Sequence, residues 1–485
     1  MKYFEPTFES LHEFKAPEWF RDAKFGIWSH WGPQSVPMFG DWYARKMYEE
    51  GSPQYLYHLR HYGHPSKFGY KDICALWKAE SFDADALMDL YVKAGAKYFA
   101  AQATHHDNFF NYDSKINRMN SVNIGPHKDI CALWQQAALK RGVHFGITEH
   151  LAASFTWWRF NKGADKYGPF AGVPYDGNDP EYRDFYHDNY EHVTSDPNAV
   201  VPWTTLNKKF YEYWLNSMYE IIDKFSPEFL YSDSSLPFGT HWERPGSRAE
   251  DDPDYTVGMK AVAKLYNASI DKYGENRAFY LQKNTMPEIY NVGILDIERS
   301  LLPEIAPYVW NTDTCIGNWF YNASTTYKRP AHIIGMLVDI ISKNGNLLLN
   351  IVQRPDGSID DETRYILDEL AKWNKVCAEG VYGTRPWKVF GEGSSRINPE
   401  GHKEEITKWQ SDDVRYTKKD GIVYAFLMGA KPGQTVVLKE FANASVSSVR
   451  LLGAGEIEFT KAYDVLCVKL PEQLPTEYVN CIAIK

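Results

Sequence analysis

The sequence predicts an α/β protein: a (β/α)8-like, TIM-type barrel over residues 1–389, then an antiparallel β-sandwich over residues 390–485. Three observations carry that expectation. Eight short apolar runs recur through the first part of the chain, with helix-like stretches between most of them. Ionisable residues gather at the C-terminal ends of those runs, where a barrel would bring them to one face. After about residue 390 the helical patterning gives way to short alternating strands.

The eight runs are 25–31 (FGIWSHW), 98–105 (YFAAQATH), 143–150 (VHFGITEH), 229–233 (FLYSD), 278–282 (AFYLQ), 294–298 (ILDIE), 308–313 (YVWNTD) and 346–352 (NLLLNIV). Most are apolar almost throughout, as parallel strands buried on both faces require. Helix-like stretches lie at 83–95, 129–141, 208–224, 256–273, 331–343 and 362–376. The first ends on Ala94-Gly95-Ala96 and the third on Ser226-Pro227-Glu228, both helix stops. Sandwich strands are expected at 403–408, 413–417, 421–428, 434–439, 447–452, 464–469 and 478–484, with turns such as Lys431-Pro432-Gly433 between them. The heptapeptide Lys-Asp-Ile-Cys-Ala-Leu-Trp occurs at 71–77 and 128–134, but its flanks differ, so it does not mark a duplication.

Composition narrows the function. Apolar residues are 44% and charged residues 24%, the balance of a globular chain. Sixty-three acids against 53 Lys+Arg leave a net charge of −10, which opposes a phosphate-binding face and excludes a nucleic-acid partner. No run of 18 apolar residues exists, so no membrane span is expected. The N-terminal MKYFEPTFES has no apolar core and is not an intact signal peptide; a periplasmic or secreted protein whose leader has been removed stays open. Asn-Ala-Ser sequons at Asn267, Asn322 and Asn443 matter only in a glycosylating compartment. Six scattered cysteines without a CxxC pair read as buried thiols. The 16 Trp, 33 Tyr and 26 Phe suit a cleft for a sugar, whose faces are apolar and edges polar, and equally suit a large aromatic core.

Two carboxylates are the first chemical candidates. Asp233 closes the strand Phe-Leu-Tyr-Ser-Asp, a position that fits either a catalytic mouth or a helix N-cap. Glu298 ends Ile294–Glu298 and precedes Arg299; it fits either a second catalytic carboxyl or an ion-pair cluster with Asp296 and Arg299. Glycoside hydrolysis needs such a pair, one to protonate the leaving oxygen and one to attack or to activate water. His105-His106-Asp107 is the other conspicuous group. Adjacent strand residues face opposite ways, so His105 and His106 do not share one ion, and hydrogen bonding to sugar hydroxyls together with His30 and Trp42 is the better reading. No metal and no cofactor is expected. Signatures for nucleophilic serine, P-loop, zincin and dinucleotide chemistry are absent.

Taken together, several stretches resemble glycoside hydrolase family 29, the retaining α-L-fucosidases. They are Trp19-Phe20 through Phe25–Gly32, Trp42-Tyr43, Ala94–Tyr98, His105-His106-Asp107, Tyr231-Ser232-Asp233, Ser342–Asn350 and Tyr382–Trp387. The resemblance implies a barrel followed by a sandwich, release of terminal α-L-fucose from a carbohydrate substrate, and a covalent glycosyl-enzyme on Asp233. It implies substrate contacts from His30, Asp41, Trp42, His105, His106, Glu149, Tyr231, Arg299 and Trp319. Asp296-Ile297-Glu298-Arg299 followed by Trp310–Thr314 looks like the subfamily acting on α-1,3/1,4-linked fucose, which makes Glu298 the acid/base, with Glu243, Glu288 and Glu304 as weaker alternatives. The chain departs from the family pattern at Asp41, Thr104, Asn108, Thr148-Glu149-His150, Tyr231 and Ser300. These departures surround the pocket and keep two alternatives open: a retaining enzyme for a related galactoside, and a carbohydrate-binding barrel without catalysis.

Overall fold

The computed structural model describes residues 2–188, 203–205, 207–233, 235–237, 255–395, 408–442, 444–462 and 464–485. Eight parallel strands form a closed barrel in chain order. They are β1 (Phe25–Ser29), β2 (Tyr98–Gln102), β3 (His144–Glu149), β4 (Phe229–Ser232), β5 (Phe279–Gln282), β6 (Ile294–Asp296), β7 (Trp310–Cys315) and β8 (Gly345–Asn350). Closure is made by β8 against β1, with Phe25 opposite Leu347 and Ile27 opposite Leu349. Each strand falls within or beside one of the eight expected runs.

Those runs read as continuously apolar because each serves two cores. Alternate residues point inward or outward. Trp28, Tyr98, Ala100, Phe229, Tyr231, Phe279, Leu281, Ile294 and Leu348 belong to one buried cluster, which fills the barrel. Phe25, Ile27, Phe99, Ala101, Phe145, Ile147, Leu230, Tyr280, Leu347 and Leu349 belong to another, between strands and surrounding helices. Two glycines make room for the inner rings. A Cβ on Gly26 would sit 2.4 Å from the Tyr98 ring, and one on Gly146 would sit 2.2 Å from the Phe229 ring. Among the described residues the barrel interior is therefore a packed core rather than a channel, which leaves its ends, not its middle, open to a ligand.

The outer layer contains α1 (Ala84–Ala94), α2 (Ile130–Leu139), α3 (Lys208–Phe225), α4 (Tyr255–Tyr273), α5 (Pro330–Ser342) and α6 (Asp361–Val381). Local sequence sets their ends. Asp83, Asp129, Asn207 and Asp360 accept backbone N–H bonds as N-caps. Gly95 ends α1 in the left-handed region (φ 111°), as the Ala-Gly-Ala stop predicts. The repeated heptapeptide is helical at both sites and buries the same three residues, Ile73, Cys74 and Trp77 in one copy and Ile130, Cys131 and Trp134 in the other.

The C-terminal part consists of two antiparallel sheets, ordered β14-β13-β17-β11-β10-β9 and β12-β16-β15. The larger holds β9 (Arg385–Glu392), β10 (Val414–Lys419), β11 (Ile422–Leu427), β13 (Val449–Leu451), β14 (Gly455–Glu456) and β17 (Asn480–Ile484); the smaller holds β12 (Thr435–Leu438), β15 (Phe459–Ala462) and β16 (Val465–Lys469). Tyr416, Leu427 and Ile482 of one sheet share a core with Val436, Leu438, Leu466 and Val468 of the other. Sequence reading did not anticipate β9, β14 or β15. β9 and β14 are sheet edges and β15 is exposed or half-exposed along its length; in β9 only Trp387 and Val389 turn to the sandwich core, too short an alternation to mark a strand. The first expected strand, 403–408, lies almost wholly outside the described residues. Barrel and sandwich are joined by a buried charge contact, Arg415 donating to Asp339 of α5 at 2.6 Å, with Lys343 donating to the same carboxylate at 2.8 Å.

Candidate active site

The inward-facing residues of the strands bring chemistry to the C-terminal rim. Stepping two residues at a time leads from Trp28 to His30, from Thr148 to His150, from Tyr231 to Asp233, from Leu281 to Lys283, from Asp296 to Glu298 and from Asn311 to Asp313. These six end residues line a cavity of about 270 Å3 together with Trp28, Asp41, Trp42, His105, His106, Trp203, Tyr231 and Trp319.

Lys283 ties the carboxylates together. Its Nζ donates to Asp233 Oδ1 at 2.6 Å and to Glu298 Oε2 at 2.5 Å, and stands 3.9 Å from Asp313 Oδ2. The sum of the two bond lengths is the furthest apart that the bridged oxygens can lie. Tyr231 completes the group by donating to Asp313 Oδ2 (2.9 Å) and Asp233 Oδ1 (3.2 Å). On the other side of Asp233, His106 Nε2 stands 3.2 Å from Oδ2, and its ring is held by Nδ1–H donating to the His150 carbonyl at 2.6 Å.

The charges respond to this layout. Burial pushes the Asp233 carboxyl up, but the Lys283 ammonium, then His150 and His106, outweigh burial and hold it well below the ordinary carboxylate range. Burial would lower the Lys283 ammonium; Asp233, Asp313 and Glu298 reverse that and raise it well above its usual value. Asp313 is pushed up to about 6 by burial, against the pull of Lys283. Asp296, beneath the rim, is driven well above its usual range by burial and then by Asp313, and accepts a hydrogen bond from Asn311 Nδ2 at 2.6 Å. Asp41 is pushed up to about 7 by desolvation in the pocket wall, resisted by the Trp42 backbone N–H at 2.8 Å. Burial holds the His30, His105 and His150 imidazoles well below their ordinary range.

Nine of the eleven expected site residues meet in this cavity: Asp233, Glu298, His30, Asp41, Trp42, His105, His106, Tyr231 and Trp319. Two do not line it. Glu149 has outward parity; it is fully buried against α3, where Ser232 Oγ, Leu151 N (2.8 Å) and Trp214 Nε1 (3.2 Å) donate to its carboxylate. His150, one residue on, takes the inward place. Arg299 bends away at φ 48°, with its backbone N–H on the Asp313 carbonyl at 2.9 Å. Of the weaker acid candidates, Glu304 is exposed outside the pocket, Glu243 lies outside the described residues, and so does the side chain of Glu288. Asn108, where the family motif has Gly, adopts φ 60°, which Asn tolerates better than most residues.

Sequence reasoning missed Lys283, Trp28 and Trp203. Parity would have found Lys283: the expected fifth strand stopped at Gln282, one residue before the next inward position. Trp203 comes from a loop remote in sequence, and no local pattern marks it.

A packed parallel barrel whose C-terminal pocket holds close-set carboxylates, imidazoles and tryptophans is the architecture of a glycoside hydrolase. The α-L-fucosidase family model matches residues 1–379. The chain belongs to the α-L-fucosidase family. It is 26% identical to the tissue α-L-fucosidase of Rattus norvegicus over 491 aligned residues, covering 98% of this chain and 89% of that protein. It is 27% identical to the plasma α-L-fucosidase of Homo sapiens, covering 93% and 85% respectively. Its fold matches the Thermotoga maritima α-fucosidase in complex with a mechanism-based inhibitor, with a TM-score of 0.75 at 24% identity, over 99% of both chains. Among the described residues no helix is long and apolar enough to cross a membrane.

Proposed function

We propose that this glycoside hydrolase releases terminal α-L-fucose from carbohydrate substrates with retention of configuration, that Asp233 is the nucleophile, and that Glu298 is the acid/base. The observation carrying this reading is the Lys283 bridge, with bonds of 2.6 and 2.5 Å to the two carboxylates. Retaining enzymes set their carboxyl groups about 5–5.5 Å apart, whereas inverting enzymes leave roughly 6.5–9.5 Å for a water. Two oxygens sharing one ammonium can lie no further apart than the sum of those two bonds, which supports the retaining arrangement.

In the first step an Asp233 oxygen bonds to the anomeric carbon while the glycosidic bond breaks, and Glu298 gives its proton to the departing oxygen. In the second, Glu298 takes a proton from water as that water's oxygen replaces Asp233 at the same carbon. The environment of Asp233 keeps it ionised and ready to attack. When it becomes an ester its charge disappears, and Lys283 is left paired with the Glu298 carboxylate that serves as base. His30, His105, His106, Trp42 and Trp319 supply polar edges and flat faces for the sugar. The resemblance around Glu298-Arg299 favours α-1,3/1,4-linked substrates. The division at residues 389/390 belongs to the same proposal; it falls within β9, the first strand of the sandwich sheets.

Asp233→Ala should lower kcat by ~10⁴-fold or more, as loss of a covalent nucleophile does, and azide should restore turnover with a fucosyl azide product. Glu298→Ala should cost ~10²–10⁴-fold on substrates with poor leaving groups and far less on nitrophenyl glycosides. Wild-type rates in either variant overturn that residue's role. A panel of nitrophenyl glycosides, including the α-galactoside, tests the sugar.

A further inference from the structure

His30, His105 and His150 come from three neighbouring strand ends and turn their rings toward one another. The ring centroids are 5.0 Å apart for His30–His105 and 4.9 Å for both His30–His150 and His105–His150, close to an equilateral triangle. All three residues are buried, and one candidate ligand atom from each lies within 4.8 Å of the others. Neither nitrogen of His30, and not Nδ1 of His150, has a hydrogen-bond partner among the described residues. A buried imidazole with both nitrogens unmatched calls for a partner from outside the chain; a sugar hydroxyl answers one nitrogen of His30 when substrate is bound, and an ion can answer it when the pocket holds no sugar.

We propose that His30, His105 and His150 form a binding site for a divalent cation of the zinc class at the floor of the pocket. Three imidazoles with an open fourth position are a familiar zinc donor set. Zn–N bonds of about 2.0–2.1 Å in a tetrahedron put the nitrogens roughly 3.3 Å apart and the ring centroids roughly 5 Å apart. The centroids already meet that spacing, so ring rotation rather than backbone movement closes the site. The divergence of the adjacent histidines makes the trio: His106 turns to Asp233, which leaves His105 to His30 and His150.

Gln34 orients His105, its amide standing 2.7 Å from Nδ1. Ligation through Nε2 needs Nδ1 to carry the proton, so the Gln34 amide turns its carbonyl oxygen toward it and gives up the 3.3 Å bond from Ala44 N. Asp233 and Asp41 face the ion as counter-charges and Lys283 opposes it. The ion and the sugar would occupy overlapping space against Asp233, so each excludes the other; this last clause rests on the pocket being the sugar site.

The test uses the full chain, stripped of metal by a chelator, titrated with Zn2+ by calorimetry and with Co2+ by visible absorption. One equivalent of Zn2+ should bind at micromolar concentration or below, with a four-coordinate Co2+ spectrum. His150→Tyr and His105→Asn should weaken binding at least 100-fold while keeping the metal-free Tm. Zinc-edge anomalous scattering from a soaked crystal places the ion without any variant. No binding below millimolar Zn2+, or an ion located elsewhere, overturns the site. A fucose-type iminosugar should raise the apparent Zn2+ dissociation constant at least 10-fold. If Zn2+ binds at the three histidines and the iminosugar leaves it unmoved, the cation site stands and the mutual exclusion falls.

Discussion

The two ends of the barrel each withdraw a lysine from bulk water, and the two ammonium groups respond in opposite directions. Lys24 precedes β1 at the N-terminal end. It is fully buried, its Nζ has no hydrogen-bond partner among the described residues, and burial lowers it to about 7, with Arg385 adding to the effect. Lys283 follows β5 at the C-terminal end, is half-buried, and is raised well above its usual value by Asp233, Asp313 and Glu298. Burial acts on both in the same sense; the carboxylates at the rim decide the difference. The rim concentrates opposite charges that hold one another in place, whereas the base tolerates one group that would be better neutral. Chemistry and stability are thus divided between the ends of one cylinder.

That contrast is open to attack at several points. The largest effect should follow removal of the rim lysine. Lys283→Met leaves Asp233 and Glu298 without their shared cation, and kcat/KM should fall ~10²-fold or more. The acid limb of the pH profile should move to higher pH, because Asp233 loses the strongest influence holding it down; Lys283→Arg should keep the limb where it was. Activity within threefold of wild type in Lys283→Met would show that the bridge is incidental.

The base should behave in the opposite way. Lys24 has a folded-state pKa below its unfolded value, so the unfolded chain binds more protons between about pH 7 and pH 10, and its contribution to stability improves as pH rises through that window. Lys24→Met should raise the Tm by ~1–4 °C at pH 7, with the gain shrinking toward pH 10. Its kcat/KM should stay within twofold. An unchanged or lower Tm at pH 7 would mean that the ammonium has a partner after all.

The smallest expected change concerns Asp41, at about 7 in the folded state. Its raised carboxyl contributes stability at acid pH that is lost as pH climbs from about 4 through about 7. Within the pocket it gains charge over the same range, so an inflection near pH 7 in kcat/KM should disappear in Asp41→Asn. Persistence of that inflection would assign it to another group.

Much of this was legible in one dimension. The eight apolar runs, the helix stops at Gly95 and Ser226, and Asp233 and Glu298 at strand ends follow from burial on both faces and from chain termination, which are local matters. Glu149 shows the limit. As one of two polar neighbours at a strand end it was given the pocket, but parity sends it outward to Trp214 and gives His150 the inside. β9 is not legible in the sequence because, as a half-exposed edge strand, it sends only Trp387 and Val389 to the core.

The amino-acid order alone determined which residues can be strand, helix or stop, because those preferences arise within a few bonds of each residue. It also put acids and imidazoles at the ends of the strands. Only the closed barrel decided that Lys283 stands between Asp233 and Glu298, that His105 parts from His106 to join His30 and His150, and that Lys24 has no hydrogen-bond partner among the described residues at the far end. Those outcomes depend on distances between segments tens or hundreds of residues apart, and electrostatic interaction follows distance in space, not separation along the chain.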